Sequence, residues 1–345
     1  MSDAPRKAAK RPRSEAKPSG ASDGRLIAGR RPARFAYTKG LHEVGSGCFA
    51  YLQPDGSWGW SNAGLVTDAG ESLLVDTLFD LRLTREMLET MRRATPAASR
   101  IGTLVNTHAN GDHCYGNSLV RGAAILASKA CAEEMAEVPP AVLAAFVEAA
   151  PGLGRAGEFL LRAFGAFEFR GIEPAPPTET FEGELERRIG GKRVRLVEVG
   201  PAHTKGDVLV HSLDDRVVFT GDILFIDGTP IMWEGPVAGW IRACERIEAM
   251  DVDVVVPGHG PITDRSGARR VREYLIYIRD EARKRFDAGM SAADAARDIA
   301  LGDFSAWGDA ERIVVNVDTL YREFSGSSER TSPVELFGRM AELAR

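Results

Sequence analysis

The sequence has few cysteines and histidines and contains no long apolar run. Its four cysteines, Cys48, Cys114, Cys131 and Cys244, are scattered over 345 residues and form no Cys-x-x-Cys pair. This spacing excludes a disulfide-dense scaffold and favours a reduced, cytoplasmic protein. No stretch of eighteen apolar residues occurs, so we expect no membrane-spanning helix and no membrane partner.

An excess of basic charge is also missing. The net charge is −5 and charged residues make up 27% of the chain, so the composition gives no reason to expect a nucleic-acid partner. Only residues 1–25 are rich in Lys and Arg, together with Ala, Pro, Ser and Gly. This segment lacks the apolar residues that a core or a secretory signal needs. We therefore predict a disordered basic tail followed by a globular remainder.

The rest of the chain alternates between strand-like and helix-like segments. Short apolar runs separated by Gly, Asp and Asn precede a helical pattern at residues 83–94. A second group of strand-like runs begins near residue 192. Two halves that each run from strands to helices fit a sandwich of two sheets with helices outside. We predict an α/β domain over residues 26–264, with a helical insertion at about 130–181, and a helical C-terminal extension over residues 265–345 packed on it.

Four of the six histidines occupy one kind of position. Each follows a strand-like run and lies in a polar, glycine-containing loop: His108, His113, His203 and His259. His42 has no such motif, and His211 lies inside a strand-like run, so neither is a candidate. Asp112 and Asp222 accompany the four histidines. Imidazole and carboxylate are ligands that Zn²⁺ prefers in proteins, so the pattern predicts a metal site.

The loop THANGDHCYGN, residues 107–117, holds the densest group of candidates. In an extended segment His108, Asn110 and Asp112 can point the same way, and His113 then begins a helix. Two groups of ligands result. One consists of His108, Asn110 and His203, and the other of Asp112, His113 and His259. Asp222 could bridge two ions held by these groups.

These motifs resemble those of the metallo-β-lactamase superfamily of hydrolases. Five motifs appear in the family's order: Asp76 in LLVDT, the loop from His108 to His113, His203 in GPAHTKGD, Asp222 in FTGD and His259 in PGHGP. The resemblance covers residues 45–264. It implies an αβ/βα four-layer sandwich with metals at one edge. It also implies that Asp76 lies beside the metal loop and orients a ligand; the alternative for Asp76 is a residue that only ends a strand.

Asn110 departs from the usual family loop, HxHxDH, which has a histidine at this position. The amide oxygen of asparagine is a weaker Zn²⁺ ligand than imidazole. Asn110 therefore either binds a first metal weakly or only orients water, and a single metal is then held by Asp112, His113, Asp222 and His259. A third interpretation is an inactive site. It is disfavoured because the other motif positions are intact and orphaned polar clusters are costly to bury.

The predicted activity is hydrolysis of a small carbonyl compound, a lactone, thioester, ester or amide, by metal-activated water. Asp112 is the expected catalytic residue, because it can accept or orient the proton of that water. The expected cofactor is one or two Zn²⁺ ions, with iron or manganese as alternatives. Cys114 adjoins His113, but at a helix start its side chain points away from the ligands. We expect Cys114 to pack in the core and not to act as a nucleophile.

Apolar residues follow Asp222 directly, and Phe225 and Trp233 are candidates for the wall of a substrate pocket. Core packing is the alternative for both. Rival functions are an iron-dependent redox enzyme of this fold that acts on sulfur compounds or oxygen, a β-lactamase, a nucleic-acid processing enzyme and a non-catalytic metal scaffold. The acidic charge argues against nucleic acid, and the lack of an export signal argues against a β-lactamase. The expected partner is a small-molecule substrate, and the C-terminal helices could close the site or form a homodimer surface.

Overall fold

The computed structural model describes residues 1–2 and 35–344 of the chain. The tail predicted over residues 1–25 lies, apart from its first two residues, outside the described part. The strands and helices of residues 35–344 all belong to one unit.

Seven strands form the first sheet, in chain order from β1 to β7. The pairs between β1 and β4 are antiparallel, and the pairs between β4 and β7 are parallel. The strands are β1 Gly40–Gly45, β2 Cys48–Leu52, β3 Ala63–Asp68, β4 Glu71–Val75, β5 Thr103–Val105, β6 Ala124–Ser128 and β7 Glu179–Phe181.

Five strands form the second sheet, in the order β12-β11-β10-β9-β8. The pairs between β8 and β11 are antiparallel, and β12 runs parallel to β11. The strands are β8 Glu184–Ile189, β9 Lys192–Glu198, β10 Val208–Ser212, β11 Val217–Phe219 and β12 Val254–Val256.

The α-helices of residues 35–344 lie outside the two sheets. They are α1 Leu81–Ala94, α2 Gly111–Cys114, α3 Lys129–Glu134, α4 Pro140–Ala149, α5 Gly154–Phe164, α6 Val237–Ala249, α7 Arg265–Asp287, α8 Ala292–Asp298, α9 Ile313–Ser325 and α10 Pro333–Leu343. The segment predicted as a helical insertion contains α3, α4 and α5. Among the residues that the structure describes, no helix is long and apolar enough to cross a membrane.

The sheets pack face to face because their central strands are apolar on both sides. Successive side chains of a strand point to opposite faces. Leu73 and Val75 of β4 therefore share a buried cluster with Leu196 of the second sheet. Leu74, between them, lies in the other buried cluster with Met87 of α1. This confirms the predicted α/β sandwich of two sheets between layers of helices.

Helix α1 shows how the sequence specifies one of these outer layers. The carboxylate of Asp80 caps its first turn by accepting a hydrogen bond from the backbone N–H of Leu83. Leu83, Met87, Leu88 and Met91 are buried, as their helical spacing predicts. The apolar stripe holds the helix against the first sheet, next to the loop that follows β4.

Three strands were not expected from the sequence. β8, with the sequence ELERRI, is an edge strand whose side chains alternate between exposed and half-buried before Ile189. β1 is the edge of the first sheet and contains His42. β7 lies at the end of the segment predicted as a helical insertion. Edge strands contact the core on one side at most, so they lack the apolar runs by which central strands are recognised.

Candidate metal centre

Parallel pairing in the first sheet brings Asp76 next to the histidine loop. Val75 of β4 is paired with Val105 of β5, so the residues that follow these two strands leave the sheet side by side. The backbone N–H of Asp76 donates to the carbonyl of Val105 at 2.9 Å. The loop that carries His108 therefore starts beside Asp76.

The second sheet supplies its candidate ligands by the same principle. Phe219 of β11 is paired with Val256 of β12, and Asp222 and His259 each follow three residues later. The sheets are joined at this edge, because the backbone N–H of Val208 donates to the carbonyl of Thr107 at 2.8 Å. All the motif loops consequently meet at one edge of the sandwich.

Asp222 lies at the centre of the resulting cluster. Its Oδ2 is 3.6 Å from Nε2 of His108, 3.4 Å from Nε2 of His203 and 3.4 Å from Nε2 of His259. Its Oδ1 is 3.1 Å from Nε2 of His113. Each of these side chains is at most 4% exposed. The four histidines selected from the sequence therefore surround one buried carboxylate.

Asp112 completes the cluster on the side of His259. Its Oδ2 lies 3.3 Å from Nε2 of His259 and 3.8 Å from Nε2 of His113. Two sets of ligand atoms each lie within 4.8 Å of one another: Asp112, His113 and His259 in one set, and His108, His113 and Asp222 in the other. The first set matches a predicted group, and His113 belongs to both.

Three of the four histidines are oriented by a hydrogen bond at Nδ1. The partners are Oδ2 of Asp76 for His113 at 2.9 Å, Oγ1 of Thr107 for His108 at 3.0 Å and the carbonyl of Ile231 for His203 at 2.8 Å. The carboxylate of Asp76 and the carbonyl of Ile231 only accept hydrogen bonds. The Thr107 hydroxyl donates its hydrogen to Asp76 and therefore accepts from His108. Each of the three Nδ1 atoms consequently carries the proton. In the neutral form of these rings each Nε2 directs its lone pair into the cluster, as a metal ligand requires.

The cluster fits a divalent metal in its donors and in its spacing. Nε2 of His108, Nε2 of His113 and Oδ1 of Asp222 are buried and have no hydrogen-bond partner among the described residues. Such orphaned atoms are rare in folded proteins and need an explanation. Two ligands about 2.05 Å from a tetrahedral zinc ion lie roughly 3.3 Å apart, close to the separations around Asp222. Nitrogen and carboxylate donors also suit zinc.

Asp76 holds the histidine loop from behind. Its Oδ1 accepts from the backbone N–H of Thr107 at 2.7 Å, and its Oδ2 accepts from the Thr107 hydroxyl at 2.7 Å as well as from His113. Asp76 is 2% exposed and has a φ of 61°, in the left-handed region that non-glycine residues rarely adopt. The carboxylate therefore contacts residues that flank the site and does not itself face the centre.

Opposing charges dominate the electrostatics of the cluster. Burial acts to raise the pKa of Asp222, but His259, His113 and His108 hold that pKa well below its usual value. Burial acts to lower the pKa of His259, but Asp222 and Asp112 raise that pKa to about 9. At His203 burial prevails and lowers the pKa to about 3. The site attracts positive charge around its two carboxylates, while His203 keeps a neutral imidazole.

Asn110 lies next to His203 at the rim of the cluster. Its Nδ2 is 3.1 Å from Nε2 of His203, so the amide donates to the free lone pair of the imidazole. A half-turn of the amide exchanges its nitrogen and oxygen. The same position could therefore offer Oδ1 to a cation beside His203.

Two residues that the sequence did not single out hold the ligand loops. The hydroxyl of Ser61 donates to the carbonyl of Asp112 at 2.6 Å. The amide nitrogen of Asn62 donates to the carbonyls of Pro257 and Gly260 at 3.0 and 2.8 Å. These carbonyls flank His259. Ser61 and Asn62 precede a strand without any motif of their own, so only the tertiary structure shows their contacts.

The remaining candidates have different surroundings. Phe225 is 2% exposed, and its ring lies parallel to that of His259 with centroids 5.0 Å apart. Trp233 is half-buried against the larger core cluster. Cys114 directs its Sγ to the carbonyl of Ala109 at 3.5 Å, and burial raises the pKa of its thiol. A buried, protonated thiol fits the packing role expected for Cys114.

Fold and site together define a class of metal-dependent hydrolases built on two packed sheets. The chain belongs to the metallo-beta-lactamase superfamily, whose family profile matches residues 56–259, more than half of the sequence. The match begins after β2 and ends on His259. It therefore includes the six histidine and aspartate candidates of the cluster and leaves out the C-terminal helices.

Proteins that are similar in sequence include two hydrolases of thioesters. Acyl-coenzyme A thioesterase MBLAC2 of Bos taurus is 27% identical over 216 residues, which are 58% of this chain and 72% of that protein. Hydroxyacylglutathione hydrolase of Methylococcus capsulatus is 27% identical over 157 residues, 46% of this chain and 47% of that protein.

The solved structures that share the fold include the following two. A metallo-beta-lactamase from Pontibacter korlensis matches with a TM-score of 0.52 at 19% identity, over 68% of this chain and 98% of its own. A sec-alkylsulfatase from Pseudomonas sp. matches with a TM-score of 0.62 at 16% identity, over 86% of this chain and 53% of its own. The second match extends beyond the sandwich into the C-terminal helices.

Proposed function

We propose that the protein is a zinc-dependent hydrolase that cleaves the thioester of a small acyl compound. The observation that carries the proposal is the convergence of four imidazole Nε2 atoms on Asp222 and Asp112, with three of the rings held at Nδ1. A buried group of acidic and basic side chains with strongly shifted pKa values is typical of a reaction centre.

In this proposal the residues divide between two cation positions. Asp112, His113, Asp222 and His259 would hold one ion, and His108 and His203, with Asn110 as a weak ligand, would hold a second that shares Asp222. When bound, such a cation lowers the pKa of water towards about 7 and polarises a substrate carbonyl. The stronger donor set lies on the side of Asp112, so we expect that position to fill first.

Asp112 is the residue proposed to move a proton. Its side chain is 12% exposed, against 3% for Asp222, so of the two carboxylates it is the one open to solvent. Burial acts to raise its pKa, but His113 and His259 hold that pKa below its usual value. An ionised carboxylate at the opening can accept a proton from the water that attacks the substrate.

The same low pKa of Asp112 favours a leaving group that departs without a strong acid. A carboxyl group with a lowered pKa is ionised near neutral pH and so carries no proton that it could give to a leaving group. A thiol, with a pKa near 8.5, can leave as a thiolate, whereas the amine of an amide must first be protonated. The two named relatives support this choice, because coenzyme A and glutathione both carry the acyl group on a thiol.

The test combines metal analysis with a substrate panel. The purified protein is analysed for zinc, iron and manganese, and is then assayed with acyl-coenzyme A, S-acylglutathione, lactone, oxoester and β-lactam substrates. We expect zinc and a preference for thioesters. A coloured, iron-containing protein without hydrolytic activity would support the redox alternative, and zinc protein that cleaves none of the panel would contradict the proposal.

Two variants test whether Asp112, and not a neighbouring residue, carries out the proposed proton transfer. Asp112→Asn removes the proton acceptor at constant size and should lower kcat by at least about a hundredfold, the usual contribution of a general base. Cys114→Ser, two residues further along the chain, should keep the activity because its thiol is buried and protonated. Equal activity in Asp112→Asn and the unaltered protein would refute the role of Asp112.

A further inference from the structure

The imidazole of His203 is oriented by an irregular segment of chain. Its Nδ1–H donates to the carbonyl of Ile231, and Ile231 is 4% exposed. Residues 229–232 belong to neither a helix nor a strand. A segment without regular secondary structure does not fix the direction of its carbonyls by itself, so other residues must hold Ile231 in place.

Helix α9 supplies most of the contacts that hold this segment. Oδ1 of Asn316 accepts from the backbone N–H of Met232 at 2.8 Å, and Nδ2 of Asn316 donates to the carbonyl of Pro230 at 2.9 Å. The hydroxyl of Thr319 donates to the carbonyl of Met232 at 2.8 Å. The two neighbours of Ile231 are thus tied to one helix, and the carbonyl of Ile231 stays available for His203.

The contacting residues form one stripe along α9. Asn316, Thr319 and Glu323 are spaced three and four residues apart and so share a helix face. Oε2 of Glu323 continues the pattern by accepting from the backbone N–H of Val237 at 3.0 Å. Just before the helix, Arg312 donates from Nη1 to the carbonyl of Thr229 at 3.0 Å. The stripe therefore follows the segment from residue 229 to residue 237.

Asn316 is the best fixed residue of the stripe. It is 1% exposed, and its Nδ2 also contacts the hydroxyl of Tyr274 on α7 at 2.8 Å. A buried amide in a helix interior is costly unless its donors and acceptor are satisfied. Here the amide oxygen and both amide hydrogens have partners. Its geometry is consequently determined by two helices, and it transmits this geometry to the backbone on both sides of Ile231.

We infer that Asn316 is a positioning residue of the metal centre: through the backbone of residues 230–232 it sets the orientation of the His203 imidazole. Residues 308–319 lie outside the region that the superfamily profile matches. The C-terminal extension therefore contributes to the geometry of the site. The inference rests on the proposed function only for the statement that His203 binds a metal, and the orientation of the ring can be tested without it.

The first measurement is made on the metal-free protein labelled with ¹⁵N-histidine. Imidazole N–H protons held by an acceptor give distinct NMR signals, and the signal of His203 is identified by its loss in His203→Gln. In Asn316→Leu, which removes both hydrogen bonds to the segment at similar size, we expect the His203 Nδ1–H signal to shift or to exchange with water. The His113 signal, held by Asp76, should stay in place.

The second measurement is the affinity for Zn²⁺ in competition with a chelator. Residues that orient a metal ligand from behind contribute about tenfold or more to metal affinity. We expect Asn316→Leu to weaken binding of the ion beside His203 by about tenfold. Thr319→Val removes one neighbouring hydrogen bond and should act in the same direction with a smaller effect, which keeps the inference testable if Asn316→Leu does not fold.

The matched control is Val317→Ala on the same helix. Val317 is 0% exposed and packs in the core, so this variant should lower the melting temperature without moving the His203 signal or the Zn²⁺ affinity. The inference is overturned if Asn316→Leu and Thr319→Val leave the His203 signal unchanged, or if Val317→Ala moves it as much. A shifted signal in a protein that hydrolyses no substrate would refute the proposed function and leave the positioning role intact.

Discussion

Oδ2 of Asp76 lies 2.9 Å from Nδ1 of His113, and the same oxygen accepts from the hydroxyl of Thr107. Through this carboxylate the end of β4 fixes both the proton of His113 and the start of the histidine loop. The left-handed backbone of Asp76 is the kind of local strain that persists only where the surrounding contacts impose it. Asp76 thus determines which nitrogen of His113 is free to bind.

Asp76→Asn should weaken the site without unfolding the protein. The amide cannot accept from Thr107 and His113 through both oxygens, so the His113 ring loses its orientation. We expect metal affinity to fall by about ten- to a hundredfold, measured by chelator competition. Asp80→Ala is the control: it removes the cap of α1 and should cost about 1 kcal/mol of stability at unchanged metal affinity. Equal affinities in Asp76→Asn and the unaltered protein would exclude the orienting role.

Asn110→His should strengthen the cation position beside His203. Imidazole is a better zinc ligand than an amide, and Asn110 already lies 3.1 Å from Nε2 of His203. We expect the zinc content to rise towards two ions per chain, measured by elemental analysis after dialysis against a weak chelator. Asn110→Ala, which offers no donor, should not show this rise. An unchanged zinc content in Asn110→His would favour the interpretation in which this residue only orients water.

Metal removal should destabilise the fold. Without a cation, the buried Nε2 atoms of His108 and His113 have no hydrogen-bond partner among residues 35–344. A ligand at a hundred times its dissociation constant stabilises the native state by about 2.7 kcal/mol, so chelation should lower the melting temperature measurably and added zinc should restore it. His211→Gln, outside the site, should retain this response and His113→Ala should lose it. A melting temperature that does not change on complete metal removal would argue against a metal centre.

Asp207 should make stability depend on pH. It is 2% exposed, and burial raises its pKa to about 7, against about 3.9 in an unfolded chain. The folded state therefore binds the proton of the Asp207 carboxyl group more tightly than the unfolded state does. Its contribution is fully present below about pH 4 and is lost as the pH rises through 7, by at most about 1.4 kcal/mol per pH unit.

Denaturant unfolding of the chelated protein between pH 4 and 8 measures this dependence. Asp207→Asn cannot ionise and should lack that part of the slope. The variant also leaves Thr204 with one unsuitable partner, because the backbone N–H and the hydroxyl of Thr204 both donate to the carboxylate. It is therefore the slope, and not the absolute stability, that distinguishes the two proteins. Parallel curves would show that Asp207 is ionised throughout.

The sequence reveals the candidate ligands because they are local signals. His108, His203 and His259 each follow a strand-like run. His108 and His259 follow strands of parallel pairs, whose ends at one edge must meet, whereas His203 follows the antiparallel strand β9. The central strands are visible for a related reason: a run such as Leu73 to Val75 is apolar on both faces. The parts of the fold and the site that could be predicted are those determined by residues close together in the sequence.

The parts that could not be predicted depend on contacts distant in the chain. Asn316 reaches Met232 across 84 residues, and no local pattern marks it as different from other polar residues of a helix. Asn62 contacts Pro257 and Gly260 across nearly 200 residues. The edge strand β8 is too polar to be recognised by its hydrophobicity. Its pairing with β9 makes it a strand, and its own composition does not indicate one.

The parallel pairing of Phe219 with Val256 has a consequence for engineering the scaffold. The carboxylate of Asp222 and the imidazole of His259 meet because the two short links after the paired residues are equally long. Helix α6, which connects β11 to β12, does not affect the distance between these two side chains. A designer could exchange that crossover for a longer module and keep the cluster of candidate ligands, whereas one codon inserted after Phe219 would turn the carboxylate out of the cluster.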